Sequence, residues 1–211
     1  MIKRHGIDVS HWQNVIDWPT VKQAGIEFAI LKAGGSDYGF YTDSFFVKNY
    51  REAAAAGVPV GAYYFVGPKC LTDEDGRADA ERFLKIVNGK VFDYPLYLDF
   101  EAPPAGRRNE CTNAAIAFCM RLEEEGYYAG ISASDISGFK DRLRIERLKP
   151  FDLWVASYGA DPTYVPQFRE TYGMRQYYSS GHVDGIRGNV DLDIAYYDFP
   201  EIMKQHHLNG Y

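Results

Sequence analysis

The sequence predicts an α/β fold in which a largely parallel sheet closes into one irregular, TIM-like barrel. Short apolar runs alternate with helical stretches, and helices become scarce in the last third of the chain. Alternating strands and helices build parallel sheets, and the roughly eight strand-like runs match the number that closes such a barrel. We therefore expect a closed barrel with a degenerate second half.

The predicted elements follow one another without a long linker, charge block or repeat. Strands are predicted over residues 5–10, 27–33, 58–66, 94–101, 128–133, 153–157, 174–178 and 190–195, and helices over 18–24, 44–56, 72–87 and 109–125. Asp43 is the expected N-cap of the second helix and Gly57 its end, because a side-chain oxygen can accept a free amide hydrogen at a helix start. The acidic start of the third helix suits the positive end of its dipole.

Length and composition exclude several classes of protein. The 211 residues fit one domain, here 1–211, and 46% hydrophobic content is enough for one core. The net charge of −6, without a basic cluster among the aromatic residues, predicts no nucleic-acid partner. The longest apolar stretch, 53–67, contains Pro59 and is too short to span a bilayer, so we expect a soluble protein without membrane insertion.

Cysteine usage and the N-terminus bear on the compartment. Cys70, Cys111 and Cys119 are an odd number without CxxC spacing, which argues against a disulfide framework and a zinc site. Free thiols favour synthesis in a reducing compartment. The N-terminus lacks the apolar segment of a signal peptide, so we expect synthesis in the cytoplasm and, if the protein leaves, another exit route.

The fourth predicted strand ends in two acids, Asp99 and Glu101. Residues i and i+2 of a strand share one face, which places these carboxylates roughly 6.6 Å apart along the strand. Like charges this close raise one another's pKa, and a protonated acid beside an ionised partner is what glycoside hydrolysis requires. Taken alone, the triplet fits a strand ending in solvated acids, or a metal site, even better.

Barrel closure gives the two acids a context. Asp8 ends the first strand, and Asp191 with Asp193 belongs to the last. First and last strands are neighbours in a closed barrel, so Asp8 and Asp191 should lie side by side and four carboxylates should meet at one mouth. Buried acids without basic partners are destabilising, so such a cluster indicates function.

Seven motifs in order resemble glycoside hydrolase family 25. They are GIDVSHWQ (6–13), FAILKA (28–33), VGAYYF (60–65), LDFE (98–101), LWVA (153–156), RQY (175–177) and GNVDLD (188–193). The resemblance covers nearly the whole chain. It implies five βα units followed by three strands, (β/α)5(β)3, and an N-acetylmuramidase that cuts the β-1,4 bond from N-acetylmuramic acid to N-acetylglucosamine in peptidoglycan.

The resemblance also implies roles for the four acids. Glu101 matches the general acid, Asp99 the carboxylate that stabilises the reacting centre, and Asp8 with Asp191 the two further acids of the groove. The chain departs from the family pattern at 34–37, at Ala133 and at Arg175, all positions that we associate with substrate contacts.

Further residues are candidates for binding sugar. Tyr63, Tyr64 and Trp154 lie at or near strand ends and could stack on sugar faces, although core packing is an equally good explanation for each. Lys32 could bind a polar group or neutralise the acids, and Gln176 could hydrogen-bond a sugar. We expect no metal and no cofactor.

Mechanism and setting leave alternatives open at this stage. Asp99 could attack the anomeric carbon or orient the substrate's own acetamido group, and the resemblance favours retention of configuration. A chitinase-like N-acetylglucosaminidase and a non-catalytic wall-binding barrel are the competing functions. We expect a monomer that acts on the bacterial wall after release, like a phage endolysin, or that is secreted by another route.

Overall fold

The computed structural model describes residues 2–158 and 171–211, and its nine strands and five α-helices alternate through most of the chain. The strands are β1 Arg4–Val9, β2 Phe28–Gly35, β3 Tyr41–Thr42, β4 Val60–Phe65, β5 Leu96–Asp99, β6 Ala129–Ser134, β7 Asp152–Ala156, β8 Met174–Gly181 and β9 Val190–Ala195. The helices are α1 Trp18–Gln23, α2 Phe46–Ala55, α3 Asp73–Val87, α4 Arg108–Glu124 and α5 Phe199–His206.

Eight of these strands close into the predicted barrel. The strand order is β1-β9-β8-β7-β6-β5-β4-β2, β1 pairs with β2 to close the ring, and β3 lies outside it against β2. Pairing is parallel from β1 through β2 and β4 to β8, and antiparallel at β8–β9 and β9–β1. The (β/α)5(β)3 prediction is confirmed, except that short π and 3-10 turns replace an α-helix after β6.

The direction of the last strand, β9, was not expected from the sequence. Because β9 runs antiparallel to β1, its beginning lies at the end where the parallel strands finish. Asp191, its second residue, is therefore opposite Asp8 in the register. The predicted neighbourhood of these two acids is confirmed, although the rule that site residues lie at carboxyl ends of strands does not hold for β9.

Side chains alternate between the barrel interior and the helix layer. The interior cluster contains Phe28, Ile30, Tyr63, Tyr97 and Trp154, and the larger cluster lies between the strands and the surrounding helices. Small residues make room for the interior rings, since a Cβ on Gly6 would lie 2.4 Å from the ring of Phe28. At the opposite end from the mouth, α5 packs Phe199 and Met203 against this cluster.

Two local predictions were wrong, and one helix was missed. Helix α2 begins at Phe46 with Phe45 in the capping position, so Asp43 is not its N-cap. Asp43 Oδ1 accepts from the backbone amide of Phe45, and its Oδ2 accepts from the backbone and ring of His11. Strand β5 ends at Asp99, which leaves Glu101 beyond the strand. Helix α5 was not predicted.

Two observations concern the cysteines and the helices of the described residues. Cys70, Cys111 and Cys119 all belong to the described residues and are free and buried. Among the helices of 2–158 and 171–211, none has the length and apolar character needed to cross a membrane.

Candidate active site

A cavity of about 240 Å³ opens at the mouth where the parallel strands end. Its lining includes all four acids selected from the sequence, Asp8, Asp99, Glu101 and Asp191. Five further strands contribute to it, so no single element builds the site. The structure brings the four acids together as barrel closure predicted.

Asp8 lies on the cavity floor with only 6% of its surface exposed. Gln176 Nε2 donates a hydrogen bond to Asp8 Oδ2 at 2.6 Å, and Tyr158 donates its hydroxyl to Gln176 Oε1 at 2.8 Å. Burial, together with the negative charge of Asp191, raises the pKa of Asp8 to about 8. Gln176 was selected as a sugar ligand, and in this structure its amide orients Asp8.

Asp99 and Glu101 lie at different depths. Asp99 is half-buried at the end of β5, whereas Glu101 is exposed at the rim. Burial and the neighbouring Glu101 raise the pKa of Asp99 well above its usual value, while the Lys32 ammonium opposes the shift. Desolvation also raises the pKa of Glu101, and the Arg142 guanidinium opposes it. Interacting carboxyls with raised pKa values titrate together, so the pair retains a proton at pH values where isolated acids are ionised.

Two more acids complete the charge pattern. Burial and the charge of Glu101 raise the pKa of Asp191 to about 6. Asp193, two residues further along β9, is fully buried, and its Oδ1 accepts a hydrogen bond from Trp154 Nε1 at 2.9 Å. Asp193 belongs to the GNVDLD motif but was not selected as a site residue, because period-two alternation alone does not tell which of two same-face acids contacts the cavity.

Among the described residues that line the cavity, Lys32 is the only one with a positively charged side chain. Its Nζ lies 4.8 Å from the centroid of the Phe65 ring, and 5.8 Å and 5.9 Å from those of Tyr41 and Tyr63. The negative faces of these rings attract the ammonium group. Lys32 thus lowers the pKa of Asp99 without being fixed to it by an ion pair in the described part of the chain.

The three aromatic residues predicted to bind sugar lie on different faces of their strands. Tyr63 and Trp154 line the cavity and meet edge to face, with ring centroids 6.0 Å apart. Tyr64 was selected wrongly: its fully buried side chain packs between Phe83 and Phe118 in the helix layer, and its hydroxyl donates to Asp79 Oδ1. Adjacent strand residues point to opposite faces, so Tyr63 and Tyr64 could not both face the mouth.

Two exposed aromatic residues at the rim were missed. Trp12 is 75% exposed and Tyr158 is 58% exposed, and both line the cavity. Trp12 lies in a short turn fixed by a capping box, in which Ser10 and Gln13 each bond the other's backbone. The Ser-x-x-Gln spacing is a sequence signal that marks such a rigid turn.

The surroundings of Trp12 and Tyr158 fix both rings. The His11 ring contacts Trp12 at a centroid distance of 4.8 Å and is held by Asp43 through a 2.8 Å hydrogen bond. Arg175, which we associated with substrate contact, is instead fully buried and donates to the carbonyl of Ser157, next to Tyr158. Its role here is to hold the segment that carries Tyr158.

Interacting carboxyls in the mouth of a closed barrel, between exposed aromatic rings, are the site of a carbohydrate-cleaving barrel enzyme. The family is shown by its sequence model, Glycosyl hydrolases family 25, which matches residues 7–186. The chain therefore belongs to this family. In the described residues, no group of three or more His, Cys, Asp or Glu side chains is arranged to hold a metal ion.

Known relatives agree with this assignment. Lysozyme M1 of Streptomyces globisporus is 31% identical over 88% of this chain and 65% of its own length. The bacterial lysozyme of Streptomyces coelicolor, 29% identical, superposes with a TM-score of 0.76 over 92% of each chain. The CTP1L endolysin, 25% identical, gives a TM-score of 0.82 over 96% of this chain and 70% of its own. The chain thus spans less than two thirds of the length of the Streptomyces globisporus lysozyme.

Proposed function

We propose that this chain is a muramidase that cleaves the β-1,4 bond between N-acetylmuramic acid and N-acetylglucosamine in peptidoglycan. The observation that carries the proposal is the Asp99 and Glu101 pair, whose pKa values are both raised at the mouth of a family 25 barrel. Similarity to proteins named as lysozymes and an endolysin supports this substrate.

In this mechanism Glu101 protonates the leaving oxygen. Its position at the exposed rim gives it access to a glycosidic bond lying across the mouth, and desolvation keeps it protonated at higher pH than a free glutamate. Asp99 is the proposed ionised partner, the role implied by its match to the family's stabilising carboxylate; the Lys32 ammonium favours its charged form and opposes burial and the charge of Glu101, which together raise its pKa. Asp99 then stabilises the oxocarbenium-like centre by steering the substrate's acetamido group, with retention of configuration.

The rim residues orient the glycan strand. Trp12 and Tyr158 offer flat, exposed faces on which sugar rings stack, and Tyr63 with Trp154 supports the sugar nearest the acids. Lys32 supplies the positive charge that a polar substituent of the substrate meets in the cavity. Asp8 and Asp191 tune the charge of the catalytic pair.

The decisive experiment compares Glu101→Gln with the wild type on purified peptidoglycan. Loss of a general acid costs about 10²–10⁴-fold in rate, so we expect E101Q to fold normally and lose turbidity clearance. Glu146→Gln, at an exposed glutamate in the short turn Ile145–Arg147, is the matched control. Undiminished lysis by E101Q would remove Glu101 from its role.

Product analysis separates the competing functions. Mass spectrometry of reducing ends should find N-acetylmuramic acid, and NMR of fresh product should find the β-anomer. Cleavage of chitin without cleavage of peptidoglycan would favour the N-acetylglucosaminidase alternative. Binding to walls without any product would favour a non-catalytic barrel, and an inverted first product would contradict retention.

The proposed setting is that of a phage endolysin. Residues 1–211 would form one catalytic domain that works as a monomer, needs no nucleic acid, is made in the cytoplasm and reaches the wall after release. Light scattering on the purified chain should give a single-chain mass. Cells that express it should lyse only when the inner membrane is permeabilised, and lysis without permeabilisation would contradict this route.

A further inference from the structure

Asp193 is a buried carboxyl that the proposed mechanism does not use. Trp154 Nε1 donates to its Oδ1, whereas Oδ2 is buried and meets no hydrogen-bond donor in the part of the chain that the structure describes. Asp193 lies opposite Gly6 in the pairing of β9 with β1, two residues from Asp8 on the same face, and the two carboxyls interact through a side-chain hydrogen bond. Two ionised carboxylates are both acceptors, so this contact is a hydrogen bond only if one of them carries a proton.

We propose that Asp193 is a protonated carboxylic acid that donates a hydrogen bond to Asp8 and is thereby a positioning residue for the cavity floor. With the proton on Asp193, the otherwise unpartnered oxygen becomes a donor and Asp8 becomes its acceptor. Asp8 would then accept from two sides, from Asp193 below and from Gln176 Nε2 above.

The surroundings of Asp193 place the proton on it. The groups acting on it are Asp8 on β1, Trp154 on β7 and its own neighbour Asp191, with Tyr97 on β5 and Tyr177 on β8 also in range. None of these is a cation. Asp193 is also the less solvated member of the pair, since Asp8 borders the cavity and Asp193 does not. Burial and the charge of Asp8 accordingly raise the pKa of Asp193 well above the usual value.

The arrangement joins the barrel interior to the rim. Hydrogen bonds run from Trp154 to Asp193, on to Asp8, and from Asp8 through Gln176 to Tyr158. Each group has one fixed partner on each side, so Asp8 has little freedom to rotate. Without the donor from Asp193, Asp8 would keep only Gln176, whose own orientation depends on an exposed tyrosine.

Two substitutions separate the protonated acid from an ionised one. Asp193→Asn keeps an acceptor for Trp154 and supplies an NH₂ donor to Asp8, so it mimics the protonated form. Asp193→Leu has the same number of side-chain heavy atoms, branched at the same carbon, and no donor. The loss of one buried hydrogen bond predicts about a tenfold fall in kcat for D193L with little change in KM, and D193N should restore most of that activity.

Two readouts are independent of peptidoglycan cleavage. Infrared difference spectra at neutral pH should show that D193N removes one protonated-carboxyl band. A carboxyl whose pKa is raised by folding stabilises the protein at low pH, and that stability is lost as the pH rises through the folded value. The melting temperature of the wild type should therefore fall more steeply towards alkaline pH than that of D193N.

The outcomes divide cleanly. A folded but inactive D193N, with no carboxyl band lost, would show that Asp193 works ionised and would overturn the proposal. Full activity of D193L would overturn the positioning role. The kinetic part rests on the proposed function, but the spectra and melting curves do not. If the wild type does not cleave peptidoglycan but D193N still removes the protonated-carboxyl band, only the muramidase proposal is refuted.

Discussion

At the scale of single residues, Lys32 is the one cation beside four acids in the described lining of the cavity. Lys32 is held over three aromatic rings and favours the ionised form of Asp99, while burial favours the protonated form. The proposed role of Asp99 as the ionised partner of Glu101 therefore requires the Lys32 charge, because burial and Glu101 both favour the protonated form of Asp99. Replacing Lys32 should therefore change the pH range in which the two carboxyls are active.

Lys32→Met should move the acidic limb of the pH–activity profile to higher pH. Removing the ammonium raises the pKa of Asp99 further, so the ionised partner forms only at higher pH. Kinetics across pH 4–9 on soluble glycan fragments measure the limb. Lys32→Arg keeps the charge and is the control; an unmoved limb in K32M would show that Lys32 does not control the ionisation of Asp99.

Trp12→Ala should weaken substrate binding more than turnover. An aromatic contact contributes about 0.5–1.5 kcal/mol beyond buried area, so we expect KM to rise about three- to tenfold while kcat changes little. Trp12→Phe should recover most of the binding. Tyr38→Ala is the matched control, because Tyr38 is even more exposed and does not line the cavity; equal effects of W12A and Y38A would contradict a specific stacking role.

At the scale of elements, the loop after β5 carries Glu101, the proposed proton donor. Arg142, from the segment after β6, donates to the carbonyl of Pro103 at 2.5 Å and also lowers the pKa of Glu101. One side chain therefore both anchors the loop and opposes the rise in the pKa of Glu101 that burial causes. Glu101 thus depends on a packing contact between two βα connections.

Arg142→Gln should move the alkaline limb of the activity profile to higher pH. Without the guanidinium, the pKa of Glu101 rises, so the proton donor persists further into the alkaline range. The profile is measured on the same soluble fragments, and Arg142→Lys, which retains the charge, is the control. A downward movement of this limb in R142Q would contradict the assignment of Glu101 as the acid.

The strands and helices also show which parts of the fold could be predicted from the sequence and which could not. Order and type of the barrel strands followed from apolar runs, and closure correctly paired Asp8 with Asp191. Tyr64 was misjudged because an apolar run of a doubly buried strand does not reveal which face looks inward. The reversal of β9 and the capping helix α5 were not predicted, since both depend on tertiary packing that no local pattern records.

At the scale of the whole molecule, the carboxyls inside the barrel link stability to pH. Burial raises the pKa of Asp8 to about 8, of Asp152 to about 7 and of Asp191 to about 6. A carboxyl with a raised pKa stabilises the fold fully below its unfolded value, near 4, and loses this contribution as the pH rises through the folded value. The barrel should therefore be most stable in mildly acidic solution.

The melting temperature should fall by on the order of 5–10 °C between pH 5 and pH 9. Differential scanning calorimetry at constant ionic strength measures it. Asp8→Asn should flatten the curve between pH 6 and 9, whereas the exposed Glu146→Gln should leave it unchanged. A melting temperature that rises over this range would contradict the raised pKa values.

The helix at the far end of the barrel limits how a polymer can enter. Because α5 packs Phe199 and Met203 beneath the interior rings, the barrel has no passage from one end to the other. A glycan strand cannot be threaded through the barrel and can reach the acids only from the mouth side. Under the proposed muramidase function, substrate entry and product release must therefore both take place on that one side.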